Sequence, residues 1–327
     1  MIPRLRRTVE KRGSSGFTLI EILISLFILG IATTAIFATF SSQHKAYIVQ
    51  NTVAEMQQNL RGGMQFLESE ARNAGSGLPP SVVLKLPSLL LGGGTISMVS
   101  GLGISDGNAT ASDNLYIVSL SPTQTHITDS MPSVSAEIKL VDPTGFTTGM
   151  IAIIFDSTNA DVFQVTEVQD SNHIQHNPTG MFGMENKDFS KAYGEGSTVA
   201  LINYSGYFLD TTTDPVHPKL MRTVPGDNVL IPEIVADDIE DLQIRLVLAN
   251  PTEERDGSGI DNATLARVRQ LRIYLAARTS TADPAWNEGP RTWYNHTTLP
   301  AVLTSYTHHR RRYYEQLIDL RNTGLSP

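Results

Sequence analysis

Between Phe17 and Phe40 the chain carries a single charged side chain, Glu21, in a run otherwise made of Leu, Ile, Phe, Ala, Gly, Thr and Ser. Such a run has few ways to fold. At about 1.5 Å per helical residue it spans roughly 36 Å, enough to cross a hydrocarbon core of about 30 Å with some tilt. A transmembrane helix over residues 17–40 is therefore expected. Glu21 is the misfit. A carboxylate inside a spanning helix costs about 2.5–3.5 kcal/mol on insertion scales, so a charge retained there points to a function and a specific partner.

Charge asymmetry orients the segment. Arg4, Arg6, Arg7, Lys11 and Arg12 precede it, whereas the twenty residues after it hold only Lys45 and Glu55. By the positive-inside rule the N-terminus stays in the cytoplasm and residues 41–327 are exported. A secretory signal places its small residues after the apolar run. Here Thr39 to Gln43 does not read as Ala-x-Ala, and the small residue, Gly16, comes before the run. That inversion points to a different processing route.

With 327 residues and 40% hydrophobic content the remainder is long enough for a substantial core. The formal charge is −8 despite the basic leader, so the body is acidic, which argues against nucleic acid as a partner. No cysteine is present, which excludes disulfides, thiolate zinc sites and thiol nucleophiles.

The basic leader followed by Gly16, Phe17, Thr18, Leu19, Ile20, Glu21 and a long apolar helix resembles the prepilin signal of type IV pilins and type II secretion pseudopilins. The resemblance implies that a prepilin peptidase cuts after Gly16 and methylates the new N-terminal residue, Phe17. It also implies a subunit-assembly role for Glu21, whose carboxylate meets the N-terminal amine of a neighbouring subunit. At 4 Å and an effective dielectric of 20 that attraction is worth about 4 kcal/mol, comparable to the insertion cost. One feature departs from the family pattern. Many major pilins carry a proline late in the apolar segment, where this chain has Ala38 and Thr39.

Beyond the membrane segment, Val49, Val53, Met56, Leu60, Met64, Leu67 and Ala71 recur at spacings of three and four, one apolar stripe on a helix. The spacing predicts helix to about Ala74, packed on the protein's own sheet in preference to a coiled coil. Gly62-Gly63 marks a bend or a close backbone approach. Gly75-Ser76-Gly77 with Pro79-Pro80 stops it.

Leu78 to Ser112, with Gly92-Gly93-Gly94 and Asp106-Gly107-Asn108, reads as a long surface excursion. Strands are expected at 115–120, 136–141, 150–155, 161–168, 198–204 and 207–209, with a tight hairpin within 145–168. No helical period separates them, so the sheets are expected to be antiparallel. Ile234 to Leu242 reads as a helical turn before a strand at 243–248. Arg267 to Ala277 alternates like a central strand, and the chain closes with a strand or short helix after the basic stretch His308 to Tyr314.

The fold class is thus α+β, pilin-like: a transmembrane helix extended as an amphipathic spine on an antiparallel β head. The expected domains are a leader at 1–16, a membrane segment at 17–40, an amphipathic helix at 41–74 and an exported head at 75–327, with a β subdomain inserted near 136–204. Weaker landmarks run the length of the head: Ala71-Arg72-Asn73-Ala74-Gly75, Gly149-Met150, Phe163-Gln164-Val165-Thr166, Ile239-Glu240-Asp241-Leu242-Gln243, and Arg310-Arg311-Arg312-Tyr313 with Leu320-Arg321-Asn322. They are similar to those of PilW-type minor pilins. That resemblance implies a minor pilin in type IV pilus assembly, at initiation or at the tip. Its partners would be the prepilin peptidase, other minor pilins, the major pilin and an inner-membrane assembly platform. The location would be the inner membrane and then the pilus at the cell surface. The alternatives are a J-type pseudopilin of a type II secretion system and a membrane-anchored sensor or enzyme.

Other groupings read as scaffold. Asp237, Asp238, Glu240 and Asp241 have no nearby histidine or nucleophile and suggest a solvated acidic face. Asp256 to Asn262 is oxygen-rich but lacks the EF-hand pattern, so a turn is preferred over a calcium site. His173 with His176, or His308 with His309 and His296, could join a zinc site only through an arrangement that the sequence does not show. Arg310 to Arg312 reads as a surface salt-bridge cluster, or else a contact for an acidic partner or DNA. No fingerprint for a cofactor, metal or catalytic elbow occurs, so the expected mechanism is assembly without catalysis.

Overall fold

The structure is a computed structural model that describes residues 16–79, 83–85, 97–99, 101–107, 111–169, 172–177, 188–226, 229–249, 251–257, 260–288 and 307–321. The basic leader before Gly16, the triple glycine at 92–94 and His296 lie outside them. The chain divides into two compact units, residues 1–51 and 52–327, and one helix, α1 (Leu19–Arg72), belongs to both.

In the first unit the start of α1 is apolar and exposed, with Leu23, Leu26, Phe27, Ile36, Phe37 and Phe40 all exposed. It is long and apolar enough to cross a membrane. Its hydroxyls are satisfied within the helix. Ser25 donates to Glu21 O at 2.7 Å, Thr33 to Leu29 O at 2.7 Å, Thr34 to Gly30 O at 2.8 Å and Thr39 to Ala35 O at 2.9 Å. Donors engaged this way carry little desolvation cost into hydrocarbon.

In the second unit α1 buries the stripe Met56, Leu60, Met64, Leu67 and Ala71, joined by Gly63. Gly63 is a close approach: a Cβ there would stand 3.3 Å from Ala236 Cβ and 3.4 Å from Leu220 Cδ2, while Gly62 has open space. The helix stops at Arg72. Gly75 then takes a φ of 71° and donates its N–H to Val118 O at 2.8 Å, fixing the exit to the sheet.

The strands follow in order: β1 (Val83–Lys85), β2 (Ser97–Val99), β3 (Leu102–Ser105), β4 (Asn114–His126), β5 (Ile138–Lys139), β6 (Ile151–Phe155), β7 (Ala160–Gln164), β8 (Glu167–Gln169), β9 (His173–Gln175), β10 (Thr198–Asp210), β11 (Lys219–Pro225), β12 (Leu230–Asp237), β13 (Ile239–Leu248), β14 (Glu253–Arg255), the short helix α2 (Asn262–Leu265), β15 (Val268–Arg278) and β16 (Arg311–Asp319). The largest sheet runs β1-β2-β3-β4-β10-β11-β12, with β6 on β10 and β7 on β6. A second sheet runs β14-β13-β15-β16 and a small third one β5-β9-β8. The pairings between these strands are all antiparallel, and the described fold is α+β with a long N-terminal helix.

The period-2 pattern explains the core. In β13, Leu242, Ile244 and Leu246 point inward beside Leu275, Ile273 and Leu271 of β15, their directly opposed partners, and together they meet the α1 stripe. Two separate apolar clusters fill the rest. One lies under β4, β6 and β10 around Tyr204 and Ile153, and the other reaches the small sheet through Phe163, Ile174 and Tyr193.

Three expectations are corrected. The excursion from Leu78 to Ser112 supplies β1 to β3, with Leu84, Met98 and Leu102 buried; glycine-rich composition hid strands too short to show a period. Ile234 to Leu242 is strand and not a helical turn: β12 and β13 are separated only by Asp238, a non-glycine residue at φ 58°. The separate strands at 198–204 and 207–209 are one, β10, continuous through Gly206.

Asp113, 1% exposed, ties the sheets together. Its carboxylate accepts from Gly107 N at 3.0 Å and from Ile244 N at 2.7 Å, and its own N–H donates to Leu242 O at 2.9 Å. Burial pushes its carboxyl up to about 7 against the two backbone donors, and neighbouring Asp106 adds to the rise. The unfolded value is about 3.9, so between about pH 4 and 7 the folded chain holds the extra proton and this contribution to stability is lost as pH rises. Urea titrations of the full chain in detergent are expected to show the advantage of wild type over Asp113→Asn shrinking across that window. In the same assay Leu67→Ala, at a fully buried position, is expected to cost about 2–5 kcal/mol. Exposed Gln58→Ala should cost less than about 0.5 kcal/mol.

Candidate functional site

The N-terminal candidates Gly16, Phe17 and Glu21 lie together at the start of α1. Thr18 and Glu21 form a capping box, the Thr-x-x-Glu arrangement that satisfies orphan N–H groups of a helix start. Thr18 N donates to Glu21 Oε2 at 2.9 Å, Thr18 Oγ1 donates to the same oxygen at 3.0 Å, and Glu21 N donates to Thr18 Oγ1 at 3.3 Å. Reading Glu21 only as a charge in need of a partner overlooks Thr18, although the spacing is legible in the sequence. The Phe17 side chain is 86% exposed, and a Cβ on Gly16 would meet nothing within 4 Å. Packing among the described residues therefore does not demand a glycine at 16.

The acidic cluster in the head is placed otherwise than expected. Asp238, Glu240 and Asp241 are buried, at 7%, 1% and 0% exposure, and only Asp237 faces solvent. Glu240 receives the Arg311 guanidinium through both carboxylate oxygens, Nη2 to Oε2 at 3.3 Å, and Arg278 Nη1 lies 3.7 Å away. Arg278 also donates to Pro215 O at 2.6 Å and Val216 O at 2.7 Å. Burial pushes the Glu240 carboxyl up, and Arg311 and Arg278 pull against it. Asp241 accepts from Ser112 Oγ at 2.7 Å and from Gln243 Nε2 at 3.1 Å, and Asp238 meets His217 Nδ1 at 2.9 Å.

The basic triplet is divided by the pleat. Arg311 is the buried partner of Glu240, correcting the surface reading, whereas Arg310 pairs with Asp283 at 2.7 Å and lies over the Trp286 ring at 4.3 Å. Two of the landmark segments, 239–243 and 310–313, thus meet in one buried ion cluster. Such partners lie 71 residues apart, and no local pattern announces them.

His176 and His309 are tied to backbone carbonyls. His176 Nε2 bonds to Ala136 O at 2.8 Å and its ring stacks on Phe189 with centroids 4.0 Å apart, while His309 Nδ1 bonds to Thr279 O at 2.6 Å. Asp261, from the oxygen-rich loop, caps α2 by accepting from Thr264 N at 2.8 Å. Among the described residues no three His, Asp or Glu side chains converge as metal ligands.

Comparison with known proteins bears on the N-terminal site. Residues 11–37 match the family model of the prokaryotic N-terminal methylation motif. The N-terminus is a prepilin-type signal. Gly16, Phe17, Thr18 and Glu21 all fall inside it, and its apolar portion is the exposed first part of α1, which fits membrane anchoring. A prepilin-type signal implies processing by a prepilin peptidase. Similar solved structures include a type IV-like pilin from Thermus thermophilus, 10% identical, with 82% of this chain and 97% of that chain covered and a TM-score of 0.33. No curated protein matches the chain.

Glu240→Ala takes the carboxylate away from the buried Arg311 guanidinium and is expected to destabilise the full chain by about 3–5 kcal/mol in denaturant titrations. Arg312→Ala, at an exposed position of the same strand, is expected to stay within about 0.5 kcal/mol of wild type.

Proposed function

We propose that the protein is a PilW-type minor pilin that takes part in type IV pilus assembly, at initiation or in the tip complex, and that it works by assembly and not by catalysis. The observation that carries this reading is the prepilin-type signal, with Gly16-Phe17 and Glu21 set at the start of an exposed apolar helix. In this reading residues 1–16 stay in the cytoplasm, the helix is held in the inner membrane and residues 41–327 are exported. Peptidase cleavage after Gly16 and methylation of Phe17 free the helix end.

The apolar face of α1 then packs against other subunits in the filament core. Glu21 sets the register by pairing with the Phe17 amine of a neighbour, and the β head selects which minor and major pilins it joins. A type II secretion filament would use the same N-terminal chemistry, so the identity of co-purifying subunits separates the two assemblies.

Mass spectrometry of the mature protein tests the reading directly: its N-terminus is expected to be Phe17 carrying one added methyl group. Retention of residues 1–16 would refute it. Glu21→Val is expected to leave membrane insertion intact and to lower incorporation into filaments about tenfold or more, read by immunoblot of sheared filaments against the membrane fraction. Normal incorporation would sink the pairing role.

A further inference from the structure

Both hydrogen bonds that Thr18 donates fall on one carboxylate oxygen of Glu21, Oε2, at 2.9 and 3.0 Å, and no bond to Oε1 occurs among the described residues. The carboxylate is thereby held from its own chain on one oxygen and presented on the other. The third bond of the box, Glu21 N to Thr18 Oγ1 at 3.3 Å, fixes the threonine rotamer that does the holding.

The position of Thr18 relative to the proposed cut matters chemically. Cleavage after Gly16 would convert the Phe17 N–H to a free amine. The Thr18 N–H belongs to the next peptide bond and is untouched, so the box survives maturation.

We infer that Thr18 is a positioning residue for Glu21: its hydroxyl and amide satisfy Oε2 while the subunit is alone in the bilayer and aim Oε1 at the amine of an arriving neighbour. This rests on the minor-pilin reading above. The lone-subunit part follows from elementary energetics. A carboxylate with no donor in hydrocarbon carries its full desolvation cost, and charge-assisted bonds from two donors offset much of it. The aiming part follows from geometry, because a carboxylate anchored through one oxygen has lost its rotational freedom before the partner arrives, which lowers the cost of pairing.

The test uses the full chain with Thr18→Val, which keeps shape and amide but removes the hydroxyl, and Thr18→Ser, which keeps the hydroxyl. In detergent micelles, amide exchange followed by NMR is expected to quicken about tenfold at Glu21 in Thr18→Val and to remain near wild type in Thr18→Ser. Quickening at Thr18 by a similar factor is expected in Glu21→Ala. In cells, Thr18→Val should lower filament incorporation several-fold, Thr18→Ser should not, and Thr18→Val should add nothing in a Glu21→Ala background.

Wild-type exchange in Thr18→Val overturns the cap. An equal further loss of incorporation when Thr18→Val is added to Glu21→Ala overturns positioning through Glu21. The micelle measurement reads the lone chain, so it can fail while wild type is still processed to a methylated Phe17. Retention of residues 1–16 with the exchange pattern intact would instead overturn the pilin reading alone.

Discussion

The head of this protein is organised by the burial of one helical stripe. Met56, Leu60, Met64, Leu67 and Ala71 need a surface to cover them, and residues from two sheets join the same core cluster. β13 and β15 supply one wall, with Leu242, Ile244, Leu271 and Ile273. The inner residues of β3, β4, β10 and β11 supply the other, with Leu102, Ile117, Tyr207 and Leu220. Gly63 lets Ala236 and Leu220 come within contact distance of the helix backbone. At roughly 25 cal/mol per Å² of apolar surface, this shared burial outweighs any local propensity in the strands concerned.

Bringing two sheets onto one helix creates a problem at their seam, where polar groups are removed from water. The molecule meets it with specific pairs. Asp113 spans the seam by accepting from Gly107 and Ile244, and Glu240 gathers Arg311 and Arg278 at the end of the second sheet. The Glu240 cluster is not evidence of extra stability, since a buried ion pair can be replaced by apolar side chains at little cost. These pairs do fix which strands lie side by side, because a strand shifted by one residue would leave a charge buried without its partner.

The same logic operates on a smaller scale at the other end of α1. Glu21 looks expensive in an apolar run, yet Thr18 and the helix start supply donors for one of its oxygens. Its cost is shared between the chain itself and, in the proposed assembly, a neighbour. The hydroxyls of Ser25, Thr33, Thr34 and Thr39 show the same economy, each bonded to a carbonyl one turn earlier.

What the sequence determined by itself is whatever depends on local period and short spacing. The apolar run, the α1 stripe with its stop near Gly75, the alternation in 267–277 and the Gly16–Glu21 signal are all of this kind, because each is set by residues within a few turns of one another. The capping box belongs here too, legible in Thr18 and Glu21 though overlooked beside the charge. Tertiary structure alone decided the rest. It made Ile239–Leu248 a strand despite its acidic start, buried Glu240 and Asp241 and sent Arg311 inward while Arg310 stayed on Trp286. The reason is that a charge is read as exposed unless its partner is known, and here Arg311, which meets Glu240, and Ser112, which meets Asp241, lie 71 and 129 residues away in sequence.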